Sequence, residues 1–275
     1  MTEGSKPLVS VVMATFNEKP NMVGKAIESI LSQTYQNFEL FVLDDSTAEE
    51  TKQKIDSYSS DSRVHVIRES NRMKFVPALN KGLKLASGKY IARMDGDDIA
   101  LPDRFEKQVN YLEENKDVAV LGGHMNIIDE NDAIKSERLY ATTDKAFLKY
   151  AIFRNPIAHP TVMFRKQLVD KGFTYDETLK RSEDLDLWLR LLKAGYKLKN
   201  LDEKILNYRV LSQQMKKRGR DQWKYNLKIR KRNFTFKHFG FSLCSVCVSF
   251  LYNLIPNFIF EMGYNKENKI YEEVQ

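Results

Sequence analysis

Three carboxylates stand within four positions of the sequence MDGDD, where Asp95, Asp97 and Asp98 follow an apolar run. Carboxylates this close repel one another unless positive charge lies among them. Their oxygens are suitable ligands for Mg²⁺ or Mn²⁺, which complete their coordination with water and substrate phosphates. Aspartate is also common in turns, so the spacing alone also fits a turn that binds nothing. A metal site is predicted only if other acidic groups lie nearby.

Two further acidic pairs meet that condition. Asp44 and Asp45 end another apolar run, and Glu183 and Asp184 begin the predicted helix SEDLDLWLRLLKAG. Acidic residues at a helix N-terminus favour the macrodipole and can be caps with no other role. The alternative is general-base catalysis, in which a carboxylate takes a proton from an attacking hydroxyl group. Both interpretations are open on the residues alone.

The elements that must position these acids alternate through the first hundred residues. Buried strands are predicted at 8–16, 38–46, 63–69 and 89–95, and helices at 21–33, 49–60 and 76–88. Apolar strands separated by helices predict a parallel sheet with helices on both faces. Ligands bind beyond the carboxyl ends of such strands. Because the stretches ATFNE, LDDS and MDGDD all follow strand ends, they point to one crevice.

The second half is less regular. The predicted elements are a helix at 102–116, a strand at 118–123, a strand and short helix within 159–173, a helix at 182–195 and two short strands within 196–210. The polar stretch 124–145 is predicted to contain a β-ribbon or a loop. Gly88 and Gly195 are predicted to end the helices that precede them.

Positive charge is concentrated in a tail. The 275-residue chain has a formal net charge of +7, but residues 216–237 contain ten basic residues against one acidic residue, so the remainder is close to −2. Residues 239–260 then contain no charged side chain. This order favours a segment lying in the interface of an anionic membrane, with a spanning helix or packing against protein as alternatives. It disfavours nucleic-acid binding, because the basic residues lead into an apolar run.

Two smaller patterns bear on compartment and metal content. The opening sequence MTEGSKPLVSVV lacks the basic start and the apolar core of a secretory signal, which predicts a cytosolic location. Cys244 and Cys247 form a lone CxxC with no second pair. We interpret them as small apolar residues rather than as zinc ligands or part of a disulfide framework.

Five ordered stretches together resemble the family 2 glycosyltransferases, which are inverting enzymes of the GT-A fold. They are VSVVMATFNE, QTYQNFELFVLDDST, ALNKGLKLASGKYIARMDGDDIALPDRFEKQ, HPTVMFR and SEDLDLWLRLLKAG. The resemblance extends over residues 7–210 and is strongest to bacterial members that add one sugar during O-antigen or capsular polysaccharide assembly. It implies an α/β, Rossmann-like domain with a mostly parallel sheet at 1–210, divided into a nucleotide-binding half (1–100) and an acceptor half (101–210). A basic, then apolar helical tail follows at 211–275.

The resemblance assigns donor-site residues. The residues implied to line the donor are Ala14, Phe16, Glu18, Asp44, Asp45, Asn71 and Arg93. Of these, Asp44 or Asp45 is implied to contact the edge of the base. Asp97 is implied to be the direct ligand of the Mn²⁺ or Mg²⁺ ion on the donor diphosphate. Asp95 is implied to support that metal or to contact the ribose.

The resemblance also assigns the acceptor side. Asp184 is implied to be the general base, with Glu183 beside it. Contacts with acceptor or diphosphate are implied for Asp98, His159 and Arg209, although a structural histidine before a proline is an equal alternative for His159.

Two positions modify this picture. Trp188 is interpreted as core packing. Many relatives carry a loop with histidine and serine after the element matching Tyr208 and Arg209, but here the sequence is VLSQQMKKRG. We expect one of the basic residues Lys216, Lys217 and Arg218 to supply that positive charge instead.

The implied partners are a nucleotide-sugar donor, by resemblance a UDP-sugar, and a saccharide acceptor, free or linked to a lipid diphosphate. Residues 216–260 are expected to contact an anionic membrane, which places the enzyme peripherally on the cytoplasmic face. One alternative is a sugar-phosphate nucleotidyltransferase, but ATFNEKPNMVG offers no Gly-rich phosphate loop before Gly24. The other is a membrane-associated protein that binds sugar nucleotides or polysaccharide without catalysis.

Overall fold

The computed structural model describes residues 6–211, 221–235 and 239–254. The strands are β1 (Val9–Thr15), β2 (Phe38–Asp44), β3 (Val64–Ile67), β4 (Tyr90–Asp95), β5 (Ile99–Ala100), β6 (Val118–Ile128), β7 (Ile134–Arg138), β8 (Met163–Arg165) and β9 (Lys197–Arg209). The α-helices are α1 (Pro20–Leu31), α2 (Glu49–Asp56), α3 (Phe75–Leu85), α4 (Arg104–Glu114), α5 (Asp144–Phe153), α6 (Gln167–Asp170), α7 (Glu183–Lys193), α8 (Asp221–Arg232) and α9 (Phe239–Leu254). A short 3₁₀ turn lies at His159–Thr161.

The strands form one mixed sheet in the order β3-β2-β1-β4-β8-β6-β9-β5, with β7 paired to β6. The first four are parallel, β8 is antiparallel to both β4 and β6, and β6 is parallel to β9. In the register of the parallel half, Thr15 pairs with Asp44 and Ala14 pairs with Asp95. The predicted convergence of polar strand ends at one edge is therefore confirmed.

The core has two layers, one on each face of the sheet. Along β1, Val11 and Met13 pack with residues of α1 and α4, whereas the alternate residue Val12 packs with residues of α3 and α7. Successive side chains of a strand point to opposite faces, so a strand covered on both faces is apolar throughout. All seven residues of β1 are buried, which explains the unbroken apolar run in the sequence.

Several boundaries differ from the sequence predictions. The prediction of two short strands at 196–210 is wrong, because β9 continues unbroken along β6 and register shifts absorb the irregularity. The predicted ribbon is present as β6 and β7, but α5 and β5 were not predicted. Helix α3 ends at Leu85 and not at Gly88, whereas Gly195 follows α7 in the left-handed region with φ +88°, as predicted.

The described parts of the tail pack against the domain. Ile229 of α8 forms a buried cluster with Leu185 and Leu189 of α7. Arg230 is buried and donates from Nη1 to the main-chain oxygen of Ala151 at 2.6 Å. Lys216, Lys217 and Arg218, from which we expected a charge in the active site, lie outside the described residues.

Helix α9 is oriented with its polar stripe inward. Ser242, Ser245 and Ser249 are at most 4% exposed, whereas Phe250 and Leu251 are 50% and 60% exposed. Among the described helices, none combines the length and the hydropathy that a membrane-spanning segment needs. The last part of the apolar run, 255–260, lies outside the description.

Gly88 provides a test of the contact between the start of β4 and β1. A Cβ atom there would lie 2.6 Å from the main-chain oxygen of Leu8 and 2.8 Å from the main-chain nitrogen of Ser10, so the backbone would have to move. We expect Gly88→Ala to lower the free energy of unfolding by about 2 kcal/mol in urea titrations. Gly240→Ala is the matched control, since its Cβ would meet nothing within 4 Å. Equal stability of both variants and the wild type would contradict this packing.

Candidate active site

The carboxylate cluster lies at the end of β4. Asp95, Asp97 and Asp98 each place an oxygen within 4.8 Å of the others. The turn needs glycine at Gly96, because a Cβ atom there would lie 2.8 Å from Cγ2 of Thr15. The predicted proximity of the three carboxylates is confirmed, and the end of β1 lies directly against them.

Two buried guanidinium groups stand behind this turn. Arg93 pairs with Asp95, its Nη1 donating to Oδ2 at 2.5 Å. Arg104 is completely buried and donates from Nη2 to the main-chain oxygen of Arg93 at 2.8 Å. Burial lowers the pKa of Arg104 to about 9, against the attraction of Asp98, which raises it. Both groups remain cationic near neutral pH and offset part of the negative charge of the cluster.

The remaining negative charge is still unfavourable. Burial, followed by the charge of Asp95, raises the pKa of Asp97 from 3.8 to about 6. Burial and both neighbouring carboxylates hold the pKa of Asp98 well above its ordinary value, and its Oδ2 has no hydrogen-bond partner among the described residues. Three converging oxygen donors with excess negative charge fit a Mg²⁺ or Mn²⁺ ion, which would favour the ionised forms.

Asp98 and Arg209 hold the turn in place. The main-chain N–H of Arg209 donates to Oδ1 of Asp98 at 2.8 Å, and Nε of Arg209 donates to the main-chain oxygen of Asp97 at 2.7 Å. The Arg209 side chain also donates to the main-chain oxygen of Asp129 at 2.7 Å and pairs with Asp132 at 2.5 Å. Contacts of Asp98 and Arg209 with the acceptor or the diphosphate stay predictions.

The loop after β1 borders the same cluster. Oε2 of Glu18 accepts the main-chain N–H of Phe16 at 2.8 Å. Burial, together with the charges of Asp97 and Asp95, raises the pKa of Glu18 from 4.5 to about 7. The Phe16 ring is 42% exposed and the guanidinium of Arg72 lies 3.6 Å from its centre. This aromatic and cationic surface is open to a ligand beside the turn at residues 95–98, which we call the metal turn because its carboxylates are suited to a divalent metal.

Asp44 is a structural carboxylate in this geometry. It is enclosed at the end of β2, where its Oδ1 accepts from Oγ1 of Thr15 at 3.0 Å and from the main-chain N–H of Ser46 at 2.9 Å. Its Oδ2 accepts from Nε of Arg68 at 2.6 Å. Burial opposes the ionised form of Asp44, but these bonds outweigh it and hold its pKa below the ordinary value. All these bonds are made within the protein, and a contact of Asp44 with the base stays a prediction.

Asp45 fastens the loop before α3. Its two oxygens accept the main-chain N–H groups of Met73 and Lys74 at 2.9 and 2.6 Å. The loop it holds carries the exposed Asn71, whereas Ala14 is nearly enclosed between the strand ends. Contacts of these residues with a nucleoside remain predictions.

The second acidic pair opens α7. Ser182 precedes the helix in the left-handed region, with φ +58°, so the chain turns sharply into it. Oδ2 of Asp184 accepts from Nδ2 of Asn155 at 2.5 Å, and Oδ1 accepts the main-chain N–H of Leu185 at 2.7 Å. Burial raises the pKa of Asp184 above its ordinary value, and burial with the charge of Asp184 raises that of Glu183 to about 7.

The two acidic groups face a common region. The charge of Asp95 contributes to the raised pKa of Glu183, and the charge of Arg93 lowers the pKa of both Glu183 and Asp184. The guanidinium of Arg93 lies 5.4 Å from the ring centre of Phe75, and that ring contacts His159, whose Nδ1 lies 4.0 Å from Glu183. These contacts bring the end of β4 and the start of α7 together around Arg93.

An aromatic group lies beside the start of α7. His159 is buried, and its Nε2 lies 2.8 Å from the hydroxyl oxygen of Tyr175. Its ring contacts those of Trp188 and Phe75, with centres 6.2 and 6.3 Å apart. Burial lowers the pKa of His159 well below 6.5, so the ring is neutral, 4.0 Å from Glu183. The structural alternative for His159 and the core packing of Trp188 both agree with this arrangement.

Three residues of the site were not expected from the sequence. Asn155, Tyr175 and the 41% exposed Phe75 lie in stretches without periodicity or a polar motif. Their importance depends on contacts across 16 to 29 positions or more, as in the bond from Asn155 to Asp184. The one available signal was the dipeptide Asn155-Pro156, which is also common in ordinary turns.

Known proteins resemble this chain in sequence and in fold. The model of the family "Glycosyl transferase family 2" matches residues 10–173. An uncharacterized glycosyltransferase of Methanocaldococcus jannaschii is 38% identical over 211 residues, which are 76% of this chain and 72% of that protein. The O-antigen biosynthesis glycosyltransferase WbnJ of Escherichia coli is 34% identical over 238 residues, covering 83% of this chain and 91% of that protein.

Solved structures show the same fold at low sequence identity. S. aureus TarS 1–349 in complex with UDP-GlcNAc superposes with a TM-score of 0.68 at 18% identity, covering 88% of this chain and 72% of that chain. A mannosyltransferase from Pyrobaculum calidifontis in complex with GDP-Man and Mn²⁺ superposes with a TM-score of 0.63 at 14% identity, covering 90% and 74%. Across the solved chains compared, the protein spans between 42% and 74% of their length.

The charge at the metal turn leads to a prediction about pH. Because the pKa values of Asp97, Glu18 and Glu183 are raised in the folded state, the native protein binds more protons than the unfolded chain between about pH 4 and 7. We therefore expect the metal-free protein to lose stability as pH rises from about 4 to about 7, measured as a falling Tm.

Asp97→Asn should weaken this dependence and stabilise the metal-free protein by on the order of 2 kcal/mol at pH 8. It should also remove the stabilisation by Mn²⁺ that the wild type shows. Glu137→Gln, an exposed carboxylate on β7, is the control. If Asp97→Asn keeps the full Mn²⁺ effect, the metal is bound elsewhere.

Proposed function

We propose, from the premise that the chain belongs to glycosyl transferase family 2, that it transfers one sugar from a nucleotide-sugar to a saccharide hydroxyl with inversion at the anomeric carbon. The observation that carries this proposal is the meeting of two distinct acidic groups. A carboxylate cluster suited to a divalent metal lies at the end of β4, and a separate buried carboxylate lies at the start of α7.

The donor is proposed to lie along the carboxyl ends of β1, β2 and β4. Phe16 and Arg72 offer an open aromatic and cationic surface for a nucleoside, and Asp97 and Asp95 lie beside it for the diphosphate. We favour a UDP-sugar. The complex of TarS with UDP-GlcNAc on the same fold supports a nucleotide-sugar at this edge, and the complex of the mannosyltransferase supports a divalent metal.

Mn²⁺ or Mg²⁺, when bound, would offset the charge that develops on the leaving nucleoside diphosphate. Asp97 and Asp95 would hold it, and the main chain of Asp97 is fixed by Arg209. Arg93 orients Asp95 and lies between the metal turn and α7. No covalent intermediate is required for inversion, so no nucleophilic side chain is needed.

Asp184 is proposed to take the proton from the acceptor hydroxyl, whose oxygen attacks the anomeric carbon. Asn155 orients the Asp184 carboxylate by donating one hydrogen bond to it. Burial raises the pKa of Asp184 toward the value that suits a general base. Glu183, with a pKa raised to about 7, can hold a proton beside it. The neutral His159 and the exposed ring of Phe75 would form a wall of the acceptor side.

Membership of glycosyl transferase family 2 gives no support to the alternative that the protein is a sugar-phosphate nucleotidyltransferase. The non-catalytic alternative predicts binding of a sugar nucleotide without transfer, so it is separated from our proposal by an assay of the base.

We expect Asp184→Asn to retain donor binding and to lose at least 10³-fold in kcat, because asparagine keeps the shape but cannot accept a proton. Donor affinity is measured by calorimetry with Mn²⁺, and transfer by release of the nucleoside diphosphate in the presence of acceptor. Asp186→Asn is unsuitable as a control because its carboxylate is buried, whereas Asp170→Asn alters an exposed acid on α6. Unchanged transfer by Asp184→Asn would remove it from the role of base.

We further propose that the protein acts in the assembly of a bacterial surface polysaccharide, on a lipid-linked acceptor at the cytoplasmic face of the membrane. The similarity to an O-antigen biosynthesis enzyme supports the pathway class. The outward apolar face of α9 and the exposed Lys224, Lys228 and Lys231 of α8 support contact with an anionic bilayer.

The double variant Phe250→Glu with Leu251→Glu should reduce binding to phosphatidylglycerol vesicles at least tenfold in flotation assays, because two charges replace apolar side chains. The matched control places the same charges at Ile134 of β7 and at Leu139, which follows β7, as Ile134→Glu with Leu139→Glu; these side chains are 60% and 58% exposed. The control should bind as the wild type does. Equal loss in both variants, or none in either, would contradict docking through α9.

A further inference from the structure

The start of α7 is held from outside the nucleotide-binding sheet, by the helix α8. Asp186 lies in the first turn of α7 and is completely buried. Its Oδ1 accepts from Nη2 of Arg232 and, at 3.0 Å, from Nδ2 of Asn233. Its Oδ2 accepts from Nε of Arg190 at 2.7 Å. A buried carboxylate needs such partners, and two of its three come from the end of α8 or just beyond it.

A second contact reaches the residue before the acidic pair. Ser182, whose backbone is in the left-handed region, donates from Oγ to Oδ1 of Asn226 at 2.9 Å. A non-glycine residue in this region costs of order 1 kcal/mol and persists where its surroundings fix it. The contact with α8 is one such restraint, because it joins the strained residue directly to the middle of that helix.

A third contact supports the partner of Asp184. Arg230 of α8 is buried and donates from Nη1 to the main-chain oxygen of Ala151, and from Nη2 to that of Arg154 at 3.5 Å. The next residue is Asn155, which donates to Asp184. Helix α8 therefore contacts both segments that set the position of the Asp184 carboxylate: the turn into α7 and the end of α5.

The basic residues of α8 fall into two groups, those that contact the domain and those that are exposed. Arg230 is buried and Arg232, although partly exposed, is paired with Asp186 and Asp176, whereas Lys228 and Lys231 are exposed. Arg232 also donates from Nη1 to Oδ2 of Asp176 at 2.6 Å, so it bridges the carboxylate of α7 to the loop that follows Tyr175. The basic run in the sequence thus combines residues that hold the fold with residues that face solvent.

We propose that Arg232 and Asn226 are positioning residues for the transfer reaction, acting through α7 on Asp184, so that α8 is part of the catalytic apparatus. This inference rests on the proposed role of Asp184. It assigns no contact of α8 with the donor, the metal or the acceptor. Loss of Arg232 should then slow the chemical step and leave donor binding at the end of β4 unchanged.

The experiment compares two variants with the same change of charge in the full chain, Arg232→Gln and Lys193→Gln, the latter at an exposed lysine of α7. We expect Arg232→Gln to lower kcat for transfer at least tenfold, with the KM for donor and the calorimetric donor Kd within twofold of the wild type. Lys193→Gln should keep kcat within twofold. Arg232→Lys, which preserves a cation for Asp186, should recover at least a third of the lost activity.

A second, milder variant keeps the test decisive if Arg232→Gln does not fold. Asn226→Ala removes the contact with Ser182, and we expect a three- to tenfold fall in kcat with unchanged donor KM. If both variants are folded and transfer at the wild-type rate, the positioning role is overturned. Parallel losses in donor Kd and kcat would also overturn it, because they indicate general damage to the fold.

The outcome is distinguishable from a failure of the proposed function. If Asp184→Asn still transfers, the base assignment fails, whatever α8 does. If Asp184→Asn is inactive and Arg232→Gln is fully active, the base stands and the positioning role alone is rejected.

Discussion

The candidate active site depends on how the negative charge at the end of β4 is offset. Three carboxylates lie within 4.8 Å of one another, and two of them have pKa values raised by burial and mutual repulsion. Such an arrangement folds because Arg93 and Arg104 lie behind it in the core. The compensation is incomplete, and an edge left short of positive charge is a site that a divalent cation stabilises. The proposed affinity for a divalent metal thus follows from the way the strand end is packed.

The rest of the site is divided between rigid parts that meet at Arg93. The donor side is held by main-chain bonds to buried side chains, such as those of Asp45 to the loop before α3 and of Arg209 to the metal turn. The acceptor side depends on longer contacts, which join α7 to α5 and α8. The family model ends at residue 173, so the proposed base and the helix α8 lie beyond the part of the chain that it describes, whereas Asn155 lies within it.

Much of the donor half could be predicted from sequence, because parallel strands bring their carboxyl ends to one edge and the acidic stretches all follow strands. The roles of Asp44, Asp98 and Arg209 could not be, since each depends on partners that sequence order does not reveal; the bond between Asp98 and Arg209 spans 111 positions. The orientation of α9 was equally hidden. Apolar periodicity is read on the assumption that apolar residues face inward, and here Ser245 and Ser249 are buried while Leu251 is exposed.

The contacts of α8 also affect the order in which the protein becomes competent during its synthesis. The metal turn is complete in sequence by residue 98, and the sheet that holds it closes with β9, at Arg209. The helix that fixes the turn into α7 follows only afterwards. Domains generally fold as units during synthesis, and a chain that has emerged only as far as Arg209 contains every strand that the structure describes but not the helix that contacts Ser182. Synthesis of α8 therefore completes the proposed catalytic arrangement.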